Sequence, residues 1–156
     1  ILDSYKGVVL AVNKWDLAKE LNVNREDVMA VVEDKFKFAS YAPLRFISAL
    51  TGMGVNQLLD TALSVHRQWT KSLPRYDLRR TVMNAVAEHP PVAQKGRSLR
   101  IYSVSQVNSG PPTFTFYVNH ADTLHFSYQR YLENRLREVY DFRGSPLKMQ
   151  FKSRRE

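Results

Sequence analysis

An unbroken apolar run, Val8–Val12, ends abruptly in Asn13-Lys14-Trp15-Asp16. Such a run, rich in β-branched residues and without polar alternation, predicts a strand buried on both faces, the kind found in parallel sheets. Ligands of open parallel sheets bind beyond the carboxyl ends of the strands. The run therefore sets a fold class and also the edge where chemistry is expected.

The next segments agree. Asn24, with Asp27 three residues on, reads as a helix N-cap. Val28, Val32 and Phe36 recur at helical spacing and predict the buried stripe of that helix. Leu44–Ile47 is a second short apolar strand, entered through Pro43. The turn Thr51-Gly-Met-Gly54 leads to another helix, with Val55, Leu58, Leu59, Ala62, Val65 and Trp69 on its apolar face. Strand, helix, strand, helix is the order of parallel α/β units.

Leu73-Pro74 breaks this order and predicts two units, residues 1–72 and 73–156. In the second unit, Leu78, Val82 and Val86 mark a helix that stops at Pro90-Pro91. Leu99–Val107 reads as a strand, and 108–112 is dense in turn residues. In Thr113–Asn119, Phe114, Phe116 and Val118 alternate with Thr113, Thr115 and Tyr117, which predicts an antiparallel partner for the preceding strand. A helix over about 125–141 follows, with Tyr128, Tyr131, Leu132, Leu136 and Val139 at helical spacing, and Gly144-Ser-Pro146 is expected to end it. Leu147, Met149 and Phe151 then alternate with Lys148, Gln150 and Lys152. The expected second unit is a small α+β domain of order αββαβ, with one helical layer on a sheet.

The 156 residues carry a net charge of +8, distributed unevenly. Residues 1–72 are nearly neutral, at +1, and residues 73–156 hold +7. A basic excess confined to one unit points to a polyanionic partner, nucleic acid foremost. There are no cysteines, which excludes disulfide frameworks and thiolate metal sites and fits a reducing, cytoplasmic setting. His66, His89, His120 and His125 lack metal-ligand spacing, so no metal is expected. No stretch approaches the roughly 18–20 apolar residues of a membrane span, so no membrane partner is expected.

The polar end of the first strand suits a purine. The Asp16 carboxylate presents two coplanar acceptors, which match the N1–H and 2-amino donors of guanine; adenine lacks that pair. Asn13 can bond the base edge or brace a neighbouring loop, and the Lys14 stem can lie over a planar ring. At the end of the next strand, Ser48-Ala49-Leu50 offers a small residue whose N–H can approach guanine O6.

Asn13-Lys14-x-Asp16 resembles the guanine-specificity motif of translation-factor-type GTPases, and Ser48-Ala49-Leu50 resembles its companion motif. The string Asn13-Lys-Trp-Asp-Leu17 before a basic αββαβ unit is similar to the Der (EngA) family, as are Tyr128-Gln-Arg-Tyr-Leu-Glu-Asn134 and Gly144-Ser-Pro146. The resemblance covers essentially the whole chain. It implies the end of a second P-loop GTPase domain followed by a KH-like domain. It also implies GTP or GDP as the parent's ligand, upstream G domains of the same polypeptide, and a role in assembling the large ribosomal subunit through ribosomal RNA. No GxxxxGK[ST] phosphate loop occurs, so the Mg²⁺ and phosphate site is expected to be absent from this chain. The 156 residues are thus expected to be a C-terminal portion, without GTP hydrolysis or tight GTP binding of their own.

KH domains usually clamp a nucleic-acid backbone with Gly-x-x-Gly, and residues 73–156 contain none. Phosphate contacts are expected instead, from Lys148, Lys152, Arg154 and Arg155 around the last strand, Lys95, Arg97 and Arg100 before the first, and Arg130 and Arg137 along the long helix. Three alternatives compete. Arg135 and Arg137 can pair with Glu133, Glu138 or Asp141, and Tyr128 and Tyr131 can be core. The KH-like unit can act mainly as a non-catalytic module packed on its own G domains. An Era-type GTPase is the third alternative, although its KH domain is expected to keep Gly-x-x-Gly.

Overall fold

The structure is a computed structural model that describes residues 4–92 and 98–153. Its elements run β1 (Leu10–Val12), α1 (Arg25–Lys35), β2 (Leu44–Phe46), α2 (Val55–Trp69), α3 (Arg75–Glu88), β3 (Ile101–Ser109), β4 (Pro112–Val118), α4 (Phe126–Tyr140) and β5 (Lys148–Ser153). This mixed α/β order matches the sequence expectation, a short parallel α/β unit followed by αββαβ.

β1 and β2 pair in parallel, with Leu10 opposite Leu44 and Val12 opposite Phe46. α1 starts where expected, because the Asn24 side chain accepts from the Asp27 N–H at 2.8 Å and so satisfies a helix-end donor. Burial in this unit is thinner than the apolar pattern suggests. The strand covers Leu10–Val12 only, and Ala11 is exposed, so β1 is not buried on both faces. Val28 and Val32 are half-buried, Phe36 is exposed, and no residue of α1 is fully buried. On α2 only Thr61 and Val65 are buried, whereas Leu59 and Ala62 are exposed. The physical reason is area: two three-residue strands offer too little sheet to cover the apolar faces of two helices.

The second unit holds the core. β3 and β4 are antiparallel, and β5 adds to β4 in parallel, giving the order β3-β4-β5. Phe114, Phe116 and Val118 on the central strand meet Leu78, Val82 and Ala85 of α3 and Leu132 and Leu136 of α4. Phe116 and Phe151 stack across the β4–β5 pair, with ring centroids 4.8 Å apart. One detail differs from expectation. Val139 is exposed, because it faces away from α3 and the sheet. α4 ends at Tyr140, ahead of Gly144, where Asp141 and Phe142 adopt positive φ. Ile101 and Val104 both point into the core although they are three apart. A β-bulge between Ile101 and Ser103 absorbs the extra residue.

The two units meet through the loop after α4. The Gly144 carbonyl accepts from the Val8 N–H at 2.8 Å, and the Gly144 N–H donates to the Tyr41 carbonyl at 2.7 Å. One residue thus bonds the chain entering β1 and the chain entering β2. Gln106 ties the connector: its Oε1 accepts from Leu73 N–H, and its Nε2 donates to the Lys71 carbonyl.

Candidate functional site

The expected purine-reading residues converge at the carboxyl ends of β1 and β2. The Val12 carbonyl accepts from Ile47 N–H at 2.8 Å, and Trp15 N–H donates to the Ile47 carbonyl at 2.9 Å. Lys14 takes a left-handed conformation, φ 60°, which turns the chain sharply out of the strand. Asn13 Oδ1 then accepts from two backbone donors, Lys14 N–H at 2.7 Å and Ala49 N–H at 3.0 Å. Asn13 is therefore the brace between the two loops, and the Ala49 N–H considered for guanine O6 is held by it.

Ser48 is fully buried and fastens the second loop. Its N–H donates to the Met53 carbonyl, its carbonyl accepts from Gly52 N–H, and its Oγ accepts from Thr51 N–H. Leu50 projects into solvent, 88% exposed. Under the edge, the Trp15 ring packs on Phe46 at 4.3 Å, and the Arg25 guanidinium lies over Phe46 at 5.1 Å. Asp16 and the Lys14 side chain are exposed, and the Asp16 carboxylate has no partner among the described residues. A fixed amide, an open carboxylate and an exposed ammonium thus share one edge.

The string Asp141-Phe-Arg-Gly144 matches the Asp-x-x-Gly of a γ-phosphate reader. It does not serve that edge. Gly144 bonds the segments that enter β1 and β2, at the opposite ends of those strands from Asn13 and Ser48.

The expected cations separate. Lys95, Arg97, Arg154 and Arg155 lie outside the described residues. Arg137 is engaged internally: its guanidinium bonds Glu133 at 2.9 Å, donates to the Phe142 and Ser145 carbonyls, and stacks over the Tyr41 ring at 4.5 Å. The seven-residue spacing from Arg130 therefore does not give two open cations on one helix side. Arg135 pairs with Glu88 and Glu138. Arg130 is exposed and lies over the Phe126 ring. Lys148 is half-buried with its Nζ over Tyr5 at 5.3 Å. Arg100 and Lys152 are exposed.

Tyr128 and Tyr131 join α4 to the end of α3. Tyr128 OH donates to the His89 carbonyl at 3.0 Å and Tyr131 OH to the Ala85 carbonyl at 2.8 Å. Burial, with a smaller contribution from neighbouring Tyr131, pushes the Tyr128 phenol up to about 12. Burial also raises Tyr131 and Tyr41. Tyr102, not singled out from the sequence, is carried to the outer face of the sheet by the bulge; a run read simply as a strand, Leu99–Val107, gives no sign of one.

These features define a class: a short parallel α/β unit with a loop-braced strand-end edge, joined to a small sheet with two helices on one face. The family described as the KH-domain-like C-terminal domain of EngA bacterial GTPase enzymes matches residues 73–152, and the chain belongs to that family. The chain is 41% identical to the GTPase Der of Thermomicrobium roseum over 156 residues, 99% of this chain and 34% of that protein. It is 42% identical to the GTPase Der of Chloroflexus aggregans, again over 99% of this chain and 34% of the relative. It is 41% identical to that of Herpetosiphon aurantiacus, over 100% and 34%. The chain thus spans about a third of the length of these relatives. No helix among the described residues is long and apolar enough to cross a membrane.

Proposed function

We propose that these residues supply the guanine-recognition edge and the RNA-facing domain of a Der-type, ribosome-assembling GTPase acting in the cytoplasm. Asp16 reads the base with the Lys14 stem beside it, Asn13 and Ser48-Ala49-Leu50 build and brace the loops of the site, and residues 73–156 form the RNA-facing unit. Phosphate and Mg²⁺ chemistry belongs to G-domain segments outside these 156 residues, because no GxxxxGK[ST] is present. The Asn13 Oδ1–Ala49 N–H bond carries the reading: it locks two loops at the ligand edge of a parallel sheet and leaves the Asp16 carboxylate open. The Asp16 acceptor pair fits guanine, since it can accept from N1–H and the 2-amino group together.

The test is an ¹⁵N NMR titration of the chain with guanosine and with adenosine. Guanosine is expected to shift the Lys14, Asp16 and Ala49 amides at millimolar concentration, and adenosine is not. Equal shifts from both nucleosides contradict the base reading. Calorimetry with GTP is expected to show binding weaker than micromolar, because the charged end of the nucleotide has no partner in these residues.

A second reading is favoured by the internal use of Arg137, Lys148 and Lys71, whose Nζ donates to the Tyr140 carbonyl at 2.7 Å. Part of the basic surface is then an intramolecular interface. Salt-dependent binding to ribosomal RNA or to the large subunit separates the two readings. On the RNA reading, changing Lys148, Lys152, Arg154 and Arg155 together to Ala weakens binding and flattens its salt dependence.

A further inference from the structure

The helices α3 and α4 cover only one face of the β3-β4-β5 sheet, and the other face has a definite chemistry. Register places Ser103, Tyr117 and Lys152 in one cross-strand row, and Ser105, Thr115 and Gln150 in the next. The β-bulge brings Tyr102 out beside Ser103. Tyr102 and Tyr117 are 38% and 37% exposed, so each ring has an accessible side. Arg100 stands between two buried residues, Leu99 and Ile101, and so projects outward at the same end of the sheet. Lys152 flanks Tyr117 on the other side. No Asp or Glu occurs anywhere in β3, β4 or β5.

We infer that this end of the sheet is a stacking platform for single-stranded RNA. Tyr102 and Tyr117 receive successive unstacked bases, and Arg100 and Lys152 hold the flanking phosphates. Every base has a π-face, so such a platform tolerates sequence and needs no Gly-x-x-Gly clamp. The absence of carboxylates on all three strands removes the repulsion that would reject a polyanion. Behind the tyrosines, half-buried Ser105 and Gln150 can meet a ribose 2′-OH, which favours RNA over DNA, while Thr115 between them is buried and bonded to Gln150. The Tyr102–Tyr117 platform deepens the RNA-facing reading and rests on it.

The test is fluorescence anisotropy with a fluorescein-labelled, non-self-complementary RNA octamer of mixed sequence, across a salt series. Y102A/Y117A is expected to weaken binding about tenfold or more with the salt slope unchanged. R100A/K152A is expected to lower the slope by about 0.7 per cation removed. Y102F/Y117F keeps the rings and is expected to keep the affinity. In the wild-type chain, Tyr102 and Tyr117 ring protons should move upfield on adding the octamer, a readout that does not depend on how the variants fold. If the octamer binds but Y102A/Y117A keeps full affinity and the ring protons stay fixed, the platform is wrong while RNA contact elsewhere stands. If the wild-type chain does not bind the octamer even at low salt, both readings fail.

Discussion

Gly144 concentrates several constraints at one residue. Its φ is +75°, and a Cβ there would collide with the Val65 side chain and lie 3.0 Å from the Val8 carbonyl oxygen. Left-handed strain costs about 1–2 kcal/mol and overpacking about 1–3. G144A is therefore expected to lower stability by about 2–5 kcal/mol, measured by urea unfolding. Tyr128 makes a different kind of prediction. Its phenol is raised from 10.0 to about 12, so between those values the folded state holds a proton that the unfolded state has released. Stability is then intact below about pH 9 and falls as pH rises from about 10 towards 12, because the unfolded state binds fewer protons there. Denaturation at pH 9 and pH 11 is expected to show that fall in the wild type and a smaller one in Y128F. Unchanged stability between these pH values in the wild type contradicts the assignment.

At the scale of elements, legibility follows the local cause of each feature. The Asn24 cap, the helix stop before Pro90-Pro91 and the Phe114–Phe116–Val118 alternation are set by neighbours in sequence, and each can be read there. Asn13–Asp16 and Ser48–Leu50 could be placed at strand ends for the same reason, but the Asn13–Ala49 bond that joins them spans 36 positions and is tertiary. The Arg137–Glu133 pair could be read as an i, i+4 alternative, but the bonds of Arg137 to the Phe142 and Ser145 carbonyls could not, because the positive-φ turn at Asp141 and Phe142 presents those carbonyls. Apolar periodicity misled on α2, since it reports which side chains suit burial, not how much sheet is present to bury them. Leu59 and Leu63 are 58% and 59% exposed, whereas Val65 is buried. L59Q/L63Q is accordingly expected to change stability by less than about 0.5 kcal/mol and to reduce concentration-dependent self-association by sedimentation. V65A, which opens the packing under Gly144 and Gly7, is expected to destabilise by about 1–3 kcal/mol.

For the molecule as a whole, the two units are held by shared hydrogen bonds more than by a shared core. Gly144 bonds the entries of both short strands, Gln106 fastens the connector, and Gln68 Oε1 accepts from Phe142 N–H. Arg137 spans the joint, with Glu133 and two fully buried residues, Phe142 and Ser145, on one side and the Tyr41 ring on the other. Such cross-bonding predicts one cooperative unfolding transition. R137M leaves the Ser145 carbonyl without its donor, at about 1–3 kcal/mol, and takes one of two donors from the Phe142 carbonyl, which keeps the Ser145 N–H. Its unfolding is expected to be less stable and to separate into two steps, followed in parallel by Trp15 and Trp69 fluorescence and by far-UV circular dichroism. The same connections place the Asn13–Ala49 edge and the β3-β4-β5 sheet on one continuous body, with Gly144 at the far ends of the strands that carry Asn13 and Ser48.

Base recognition at that edge is the central claim, and exchanging the Asp16 carboxylate for an amide tests it most directly. Asp16 offers two acceptors, which suit guanine. Asn in its place offers one acceptor and one donor, which suit xanthine with its 2-oxo group. In ¹⁵N NMR titrations of D16N, xanthosine is expected to shift the Lys14, residue-16 and Ala49 amides, and guanosine to lose the effect it has on the wild type. Guanosine shifts that persist undiminished in D16N, with none from xanthosine, would contradict Asp16 as the reader of the base.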